Sequence, residues 1–376
     1  MNWGELRFCL NNNFIGVEMS DFLKYLPGRL GNPDSLLNVD ERLDPRILAA
    51  YKAAGMDGPP EESPVSGESS YEECLAHCLD MESNSTMINM LMSQNMPEFP
   101  TVESTTETIE GVDGNDILLY IHRPKNVTGN IPCVVHTHGG GMVLLKASDP
   151  NFQIWRNSIA SKGVMVVGVE FRNGGGELGN HPYPAGLNDC CSAIRWTAER
   201  RAEFGISSIV VSGESGGGNL CAATALKAKK EGWLDEISGV YAMCPYVSGA
   251  YANPPDELLS LRENDQYMLD VSMMGALAKV YDPEGEHSSN PLAWPLTAKN
   301  SDLEGLPPHI ISVNELDPLR DEGLAYYRKL VKAGVSAVGR TIHGTPHASD
   351  MAFPEQVPEV FESTLRDLVG FAHSLS

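Results

Sequence analysis

The chain has 376 residues, 42% of them hydrophobic, enough for one large domain with a substantial core or two modest ones. Lysine and arginine number 27 against 50 aspartates and glutamates, a formal net charge of −23. A surface that acidic repels polyphosphate and anionic lipid, which speaks against nucleic-acid binding and electrostatic membrane association.

The opening "MNWGELRFCLNNNF" has no basic segment followed by an apolar one, so no secretory signal is expected. No stretch approaches the roughly 18 consecutive apolar residues of a membrane-spanning helix. Cytoplasmic is the expected location, and the sequons at Asn84 and Asn126 carry little weight without a secretory route. Residues 1–100 combine Pro- and Gly-containing stretches with Met-rich helical pieces ("MINMLMSQNM") and show no clear strand. The methionines read as packing, with an adaptable substrate wall as the alternative.

From about residue 101 onward, β-rich apolar runs alternate with helical patterns. The expected strands are Ile117–His122, Cys133–Thr137, Val164–Phe171, Ser208–Val211, Val240–Pro245, His309–Val313 and Ala337–Ile342. Several are near-continuous apolar runs, as strands buried on both faces of a mostly parallel sheet require. Helices are expected over Gly186–Glu203, Asn219–Lys230 and Glu322–Ala333, with a last one near Val357–Ser374. Such alternation is the α/β layer architecture. Residues 246–305 form a long excursion between two strands, with "DQYMLDVSMMGALAKVY" reading as helix; an excursion of that length is usually functional.

The eight cysteines (Cys9, Cys74, Cys78, Cys133, Cys190, Cys191, Cys221 and Cys244) are scattered, mostly in apolar or helical contexts that suit buried thiols. Cys74 and Cys78 flank His77, but no second Cys/His pair completes four ligands, so neither a metal nor any other cofactor is expected.

Three Gly-Gly-Gly triplets carry the local chemistry. The middle one, in "GGGELG" (174–179), formally fits the dinucleotide fingerprint G-x-G-x-x-G. That fingerprint needs a helix directly after the glycines, and Asn180-His181-Pro182-Tyr183-Pro184 follows instead, so the stretch reads as a loop. No glycine run continues into Gly-Lys-Ser/Thr, which excludes a P-loop.

The third triplet lies in "IVVSGESGGGNLCAATAL" (209–226), which reads as strand, tight turn and helix. Its Gly213-Glu214-Ser215-Gly216-Gly217 matches the G-x-S-x-G nucleophile elbow, where small neighbours let strand and helix pack closely around the serine. Ser215 is therefore the candidate nucleophile. A serine needs a base, and the base an orienting acid, in the chain order Ser, Asp/Glu, His for this elbow. Among Glu315, Asp317, Asp321 and Glu322 of "NELDPLRDEG", Asp317 lies just beyond a strand and before Pro318. Asp321 and Glu322 suit the start of the next helix. Of the two histidines in "TIHGTPHASD", His347 lies in the loop as candidate base, and His343 at the strand end reads as structural.

His138-Gly139-Gly140-Gly141, the G-E-S-G-G elbow, Asp317-Pro318-Leu319 and His347 occur in that order. Together they resemble the hormone-sensitive-lipase-like branch of α/β-hydrolase esterases over roughly residues 100–376. The resemblance implies an eight-stranded, mostly parallel sheet flanked by helices, with residues 1–100 and 246–305 contributing a helical cap. It implies a serine carboxylesterase for small to medium esters, including a macrolactone, and a homodimer like many relatives. The oxyanion would meet backbone N–H groups of Gly140, Gly141 and Gly216, with His138 and Gly139 supporting that loop. Met142 stands where many relatives carry an aromatic, and Glu214-Ser215-Gly216 where many carry Asp-Ser-Ala. Two other readings share the fold. An amidase or peptidase would use the same three residues, and a non-catalytic ligand receptor would lack the histidine that His347 supplies.

Overall fold

A computed structural model describes residues 25–59, 62–94 and 96–376, with residues 85–94 as backbone only. The opening peptide, Cys9 and most of the Met-rich stretch's side chains lie outside what is described. One sheet organises the chain, in the order β1-β2-β4-β3-β5-β6-β7-β8. Its strands are β1 (Val102–Glu110), β2 (Asp116–Pro124), β3 (Ile131–Thr137), β4 (Met165–Glu170), β5 (Ile206–Glu214), β6 (Gly239–Met243), β7 (His309–Asn314) and β8 (Ala337–Ile342). β1 pairs with β2 and β2 with β4 antiparallel, and every other pairing is parallel.

The expected strands all form, and the eighth is β1, which none of the sequence-derived strands included. Its residues, "VESTTETIE", are almost all exposed, so no apolar run marks it. It is held by nine-residue pairing with β2 instead. The central strands behave differently: every residue of β3, β6 and β7 is buried.

Helices cover both faces, because the pleat sends successive side chains to opposite sides. Val134, Val166 and Val210 face α3 (Pro150–Ser161) and α8 (Pro358–Ser374), packing with Trp155, Phe361 and Leu365. Val135, Val167 and Val211 face the other way, toward α4 (Ala185–Glu199), α5 (Gly216–Glu231) and α7 (Arg320–Lys332). Helix α3 escaped the sequence pattern because polar Asn157 and Ser158 and the cationic Arg156 are buried beside its apolar side chains.

Two further helices join the second face. The 24-residue α2 (Tyr71–Gln94) packs on α6 (Val271–Tyr281), whose start is capped by the Asp270 side chain accepting from Met273 N. Residues 265–270, expected as helix, form a turn that leads into it. Cys74 and Cys78 are buried in this core, and burial pushes the Cys78 thiol up to about 12. A separate cluster surrounds α1 (Pro45–Ala53), where Ile47 and Tyr51 pack against Leu43, Tyr267, Leu316 and Val357.

Candidate active site

The site forms where the parallel strands end. Ser215 follows β5 directly and has φ +56° and ψ −119°, a backbone conformation rare for a residue with a side chain. Close packing enforces it. A Cβ on Gly217 would come 2.0 Å from Thr137 O, and one on Gly213 would come 2.3 Å from the same atom. The turn is held by Ser215 N donating to Met243 O at 2.9 Å and by Thr137 Oγ1 donating to Gly217 O at 2.9 Å.

Asp317 lies three residues past the end of β7 and is fully buried. Its Oδ1 accepts from Leu319 N at 2.9 Å, which leaves Oδ2 aimed at His347. His347 Nδ1 donates to that oxygen at 2.8 Å, the only role a ring nitrogen can take toward a carboxylate. Burial opposes charge on the ring, but the Asp317 charge and hydrogen bond, together with the Cys244 thiol, outweigh it. They hold the His347 pKa well above its ordinary 6.5. His343, by contrast, is exposed and lies 3.1 Å from Glu315, away from this cavity.

Ser215 and His347 line one cavity of about 240 Å³ together with Gly139, Gly140 and Gly141. Gly140 of the glycine loop has no room for a side chain. Gly140 has φ +102°, and a Cβ there would come 1.9 Å from Leu144 O. A Cβ on Gly216 would meet Met142 N at 2.5 Å, so nucleophile turn and glycine loop are in direct contact. Gly216 also opens α5, and the first N–H groups of a helix have no partner within it. No hydrogen bond among the described residues uses the N–H of Gly140 or Gly141.

Sequence reasoning missed what supports these groups. Glu214, only 3% exposed, accepts from Gly139 N at 2.8 Å and from His136 Nε2 at 3.0 Å, fastening the glycine loop to the nucleophile turn. The middle triplet backs the loop from behind, Gly174 N donating to Met142 O and Gly175 N to Val143 O. Asn314, at the end of β7, ties the two remaining loops. It donates to Thr345 Oγ1 and Asp350 Oδ1 and accepts from Ala348 N. Of these supports the sequence marks Glu214, as a departure from the Asp-Ser-Ala pattern, and the middle triplet, as a loop, but gives neither its partners.

His138 is buried and stacks on Phe171 with ring centroids 4.2 Å apart. Burial chiefly drives its pKa down to about 3, despite the hydrogen bond to Gly139 O, so the ring stays neutral and structural. Cys244, Asp317 and His347 bring three potential metal-ligand atoms within 4.8 Å of one another. The Asp317–His347 hydrogen bond already joins two of those residues. Most of the remaining cavity wall is apolar, with Met81 from α2, Leu144 and Leu145 from the glycine loop, and Met273, Met274 and Leu277 from α6.

Comparison with known proteins places this geometry. Residues 134–351 match a family described as the alpha/beta hydrolase fold. The structure of brefeldin A esterase, titled a bacterial homologue of human hormone-sensitive lipase, superposes with a TM-score of 0.88. It is 42% identical, covering 93% of this chain and 98% of that one. Esterase Est22 superposes at 0.79 with 37% identity, covering 90% and 99%. Carboxylesterase NlhH of Mycobacterium tuberculosis is 34% identical over 287 residues, 74% of this chain and 84% of that one. An arylesterase of Saccharolobus solfataricus is 30% identical over 266 residues, 69% and 81% of the two chains. With sheet, turn and kinship in agreement, the chain belongs to the α/β-hydrolases, as a carboxylic ester hydrolase of their hormone-sensitive-lipase-like branch.

Proposed function

We propose that Ser215, His347 and Asp317 hydrolyse small to medium uncharged carboxylic esters through an acyl-enzyme. The observation that carries this reading is the 2.8 Å hydrogen bond from His347 to Asp317 beside a cavity that Ser215 also lines. His347 Nε2 takes the Ser215 proton as Oγ bonds to the ester carbonyl carbon, and Asp317 holds the ring in the required tautomer. The oxyanion is met by N–H groups of Gly140, Gly141 and Gly216, each such donor being worth about 3–4 kcal/mol. His347 then gives its proton to the leaving alkoxide as the C–O bond breaks. Water repeats the sequence on the acyl-enzyme and releases the acid.

The substrate class follows from the walls. Residues of α2 and α6 form a cap over the site, and no lysine or arginine is among the described residues that line the cavity. An apolar recess of about 240 Å³ suits short acyl chains better than long ones. The test is turnover of p-nitrophenyl esters from acetate to decanoate, with a macrolactone and an anilide alongside. Butyrate should exceed decanoate, and Ser215→Ala should lower hydrolysis about a thousandfold or more. Undiminished hydrolysis by that variant sinks the reading. Anilide cleavage matching that of the ester would favour an amidase.

A further inference from the structure

The segment before α2 does more than feed the cap: it grips the two loops that present Asp317 and His347. Asp44 N donates to Gly344 O at 3.0 Å, and Tyr51 Oη pairs with Ser349 Oγ at 3.0 Å, two residues beyond His347. Leu43, Ile47 and Tyr51 bury Leu316, the residue before Asp317.

A charged cluster holds the acid's turn more closely. Glu263, its side chain only 5% exposed, receives both terminal nitrogens of Arg320 at 2.8 Å and a third ion pair from Arg42. Arg42 also pairs with Asp40 at 2.7 Å and donates to Asn264 Oδ1 at 3.1 Å. These partners then reach the backbone on either side of Asp317. Asn264 Nδ2 donates to Asp317 O at 3.1 Å and to Glu315 O at 3.2 Å. Arg320 Nη1 donates to Glu315 O at 3.0 Å, and Ser260 Oγ donates to Pro318 O at 2.7 Å. Three separate parts of the chain, residues 40–42, 260–264 and 315–321, thus converge on one turn.

We propose that Glu263, clamped between Arg42 and Arg320, is a positioning residue for hydrolysis: through Asn264 and Arg320 it fixes the backbone that aims Asp317 at His347. A buried carboxylate bridging two guanidinium groups holds its partners in a narrow geometry, because bidentate pairs are directional. Its effect on the reaction passes through the Asp317 carboxylate, and it touches neither substrate nor the reacting atoms.

The proposal rests on the Ser215–His347–Asp317 reading, and the experiment separates the two. Glu263→Gln is compared with the parent for kcat and KM on p-nitrophenyl butyrate. The downfield proton resonance of a histidine N–H bonded to carboxylate is recorded on the same samples and assigned by its loss in Asp317→Asn. Glu263→Gln should lower kcat by about ten- to a hundredfold, the scale of a misplacement near 1 Å, leave KM within about twofold, and shift the resonance. Asn264→Ala removes the grip on Asp317 O while sparing the charged cluster, and should give the same pattern if Glu263→Gln does not fold. A folded Glu263→Gln or Asn264→Ala protein with parental kcat and an unmoved resonance overturns the proposal, even if its melting temperature is lower. Activity retained in Ser215→Ala or Asp317→Asn would instead bring down the reading beneath it.

Discussion

At the scale of single residues, the proposed base is defined by its neighbours. Asp317 and the Cys244 thiol raise the proton affinity of His347 against the effect of burial. A general base works only when neutral, so kcat/KM should climb with pH through a value above the ordinary 6.5 of histidine. Asp317→Asn removes the larger favourable contribution and leaves only the Cys244 thiol to oppose burial. The limb should then move toward acid while the rate falls about ten-thousandfold, as loss of the orienting carboxylate does elsewhere. A pH–rate profile of both proteins checks this, and a limb that stays in place contradicts it. The sign for stability is the opposite one. A folded-state pKa above the unfolded value stabilises below the unfolded value, and that contribution fades as pH rises through the folded one.

The three proposed catalytic residues were legible because local sequence forces their setting: small residues around Ser215, a strand before Asp317, a loop after β8 for His347. Their supports were not. Glu214 meets His136 and Gly139, Asn314 meets Thr345 and Asp350, and Glu263 meets Arg42, each across a sequence gap that no local pattern encodes.

At the scale of elements, the parallel strands announced themselves through burial, and β1 and α3 hid for opposite reasons, one exposed and one burying polar groups. Helix α6 matters through one face. Met273, Met274 and Leu277 of α6 look into the cavity, and a Cβ added at Gly141 would come 2.9 Å from Leu277 Cδ1. Leu277 therefore sets the depth available beside the glycine loop. Leu277→Ala should raise the ratio of hexanoate to butyrate turnover by about tenfold, the scale of a few methylenes in an apolar pocket. A chain-length series measures it, and an unchanged ratio would place the acyl group elsewhere. The excursion over 246–305 was readable in length and partly as helix. Its turn into Val271 was not, because Asp270 caps the helix only once folded.

At the scale of the whole molecule, charge and cavity act together. A net charge of −23 surrounds a largely apolar cavity with no lysine or arginine among its described lining residues. Esters carrying a carboxylate should be poorer substrates than neutral ones of the same size, and the gap should narrow as added salt shortens the screening length to about 10 Å at 0.1 M. Comparing p-nitrophenyl butyrate with mono-p-nitrophenyl succinate across ionic strengths tests this. A gap indifferent to salt would assign the preference to the cavity wall alone. No described helix is long and apolar enough to cross a membrane.

The hydrogen bond from Asp44 N to Gly344 O joins two segments far apart in sequence beside the proposed base. Contacts so distant in sequence are slow to close, since their loop entropy must be overcome before they are rewarded. A ribosome delivers the α1 segment well before residue 344. The loop that carries the proposed base is thus braced only once a segment made early has met one made late.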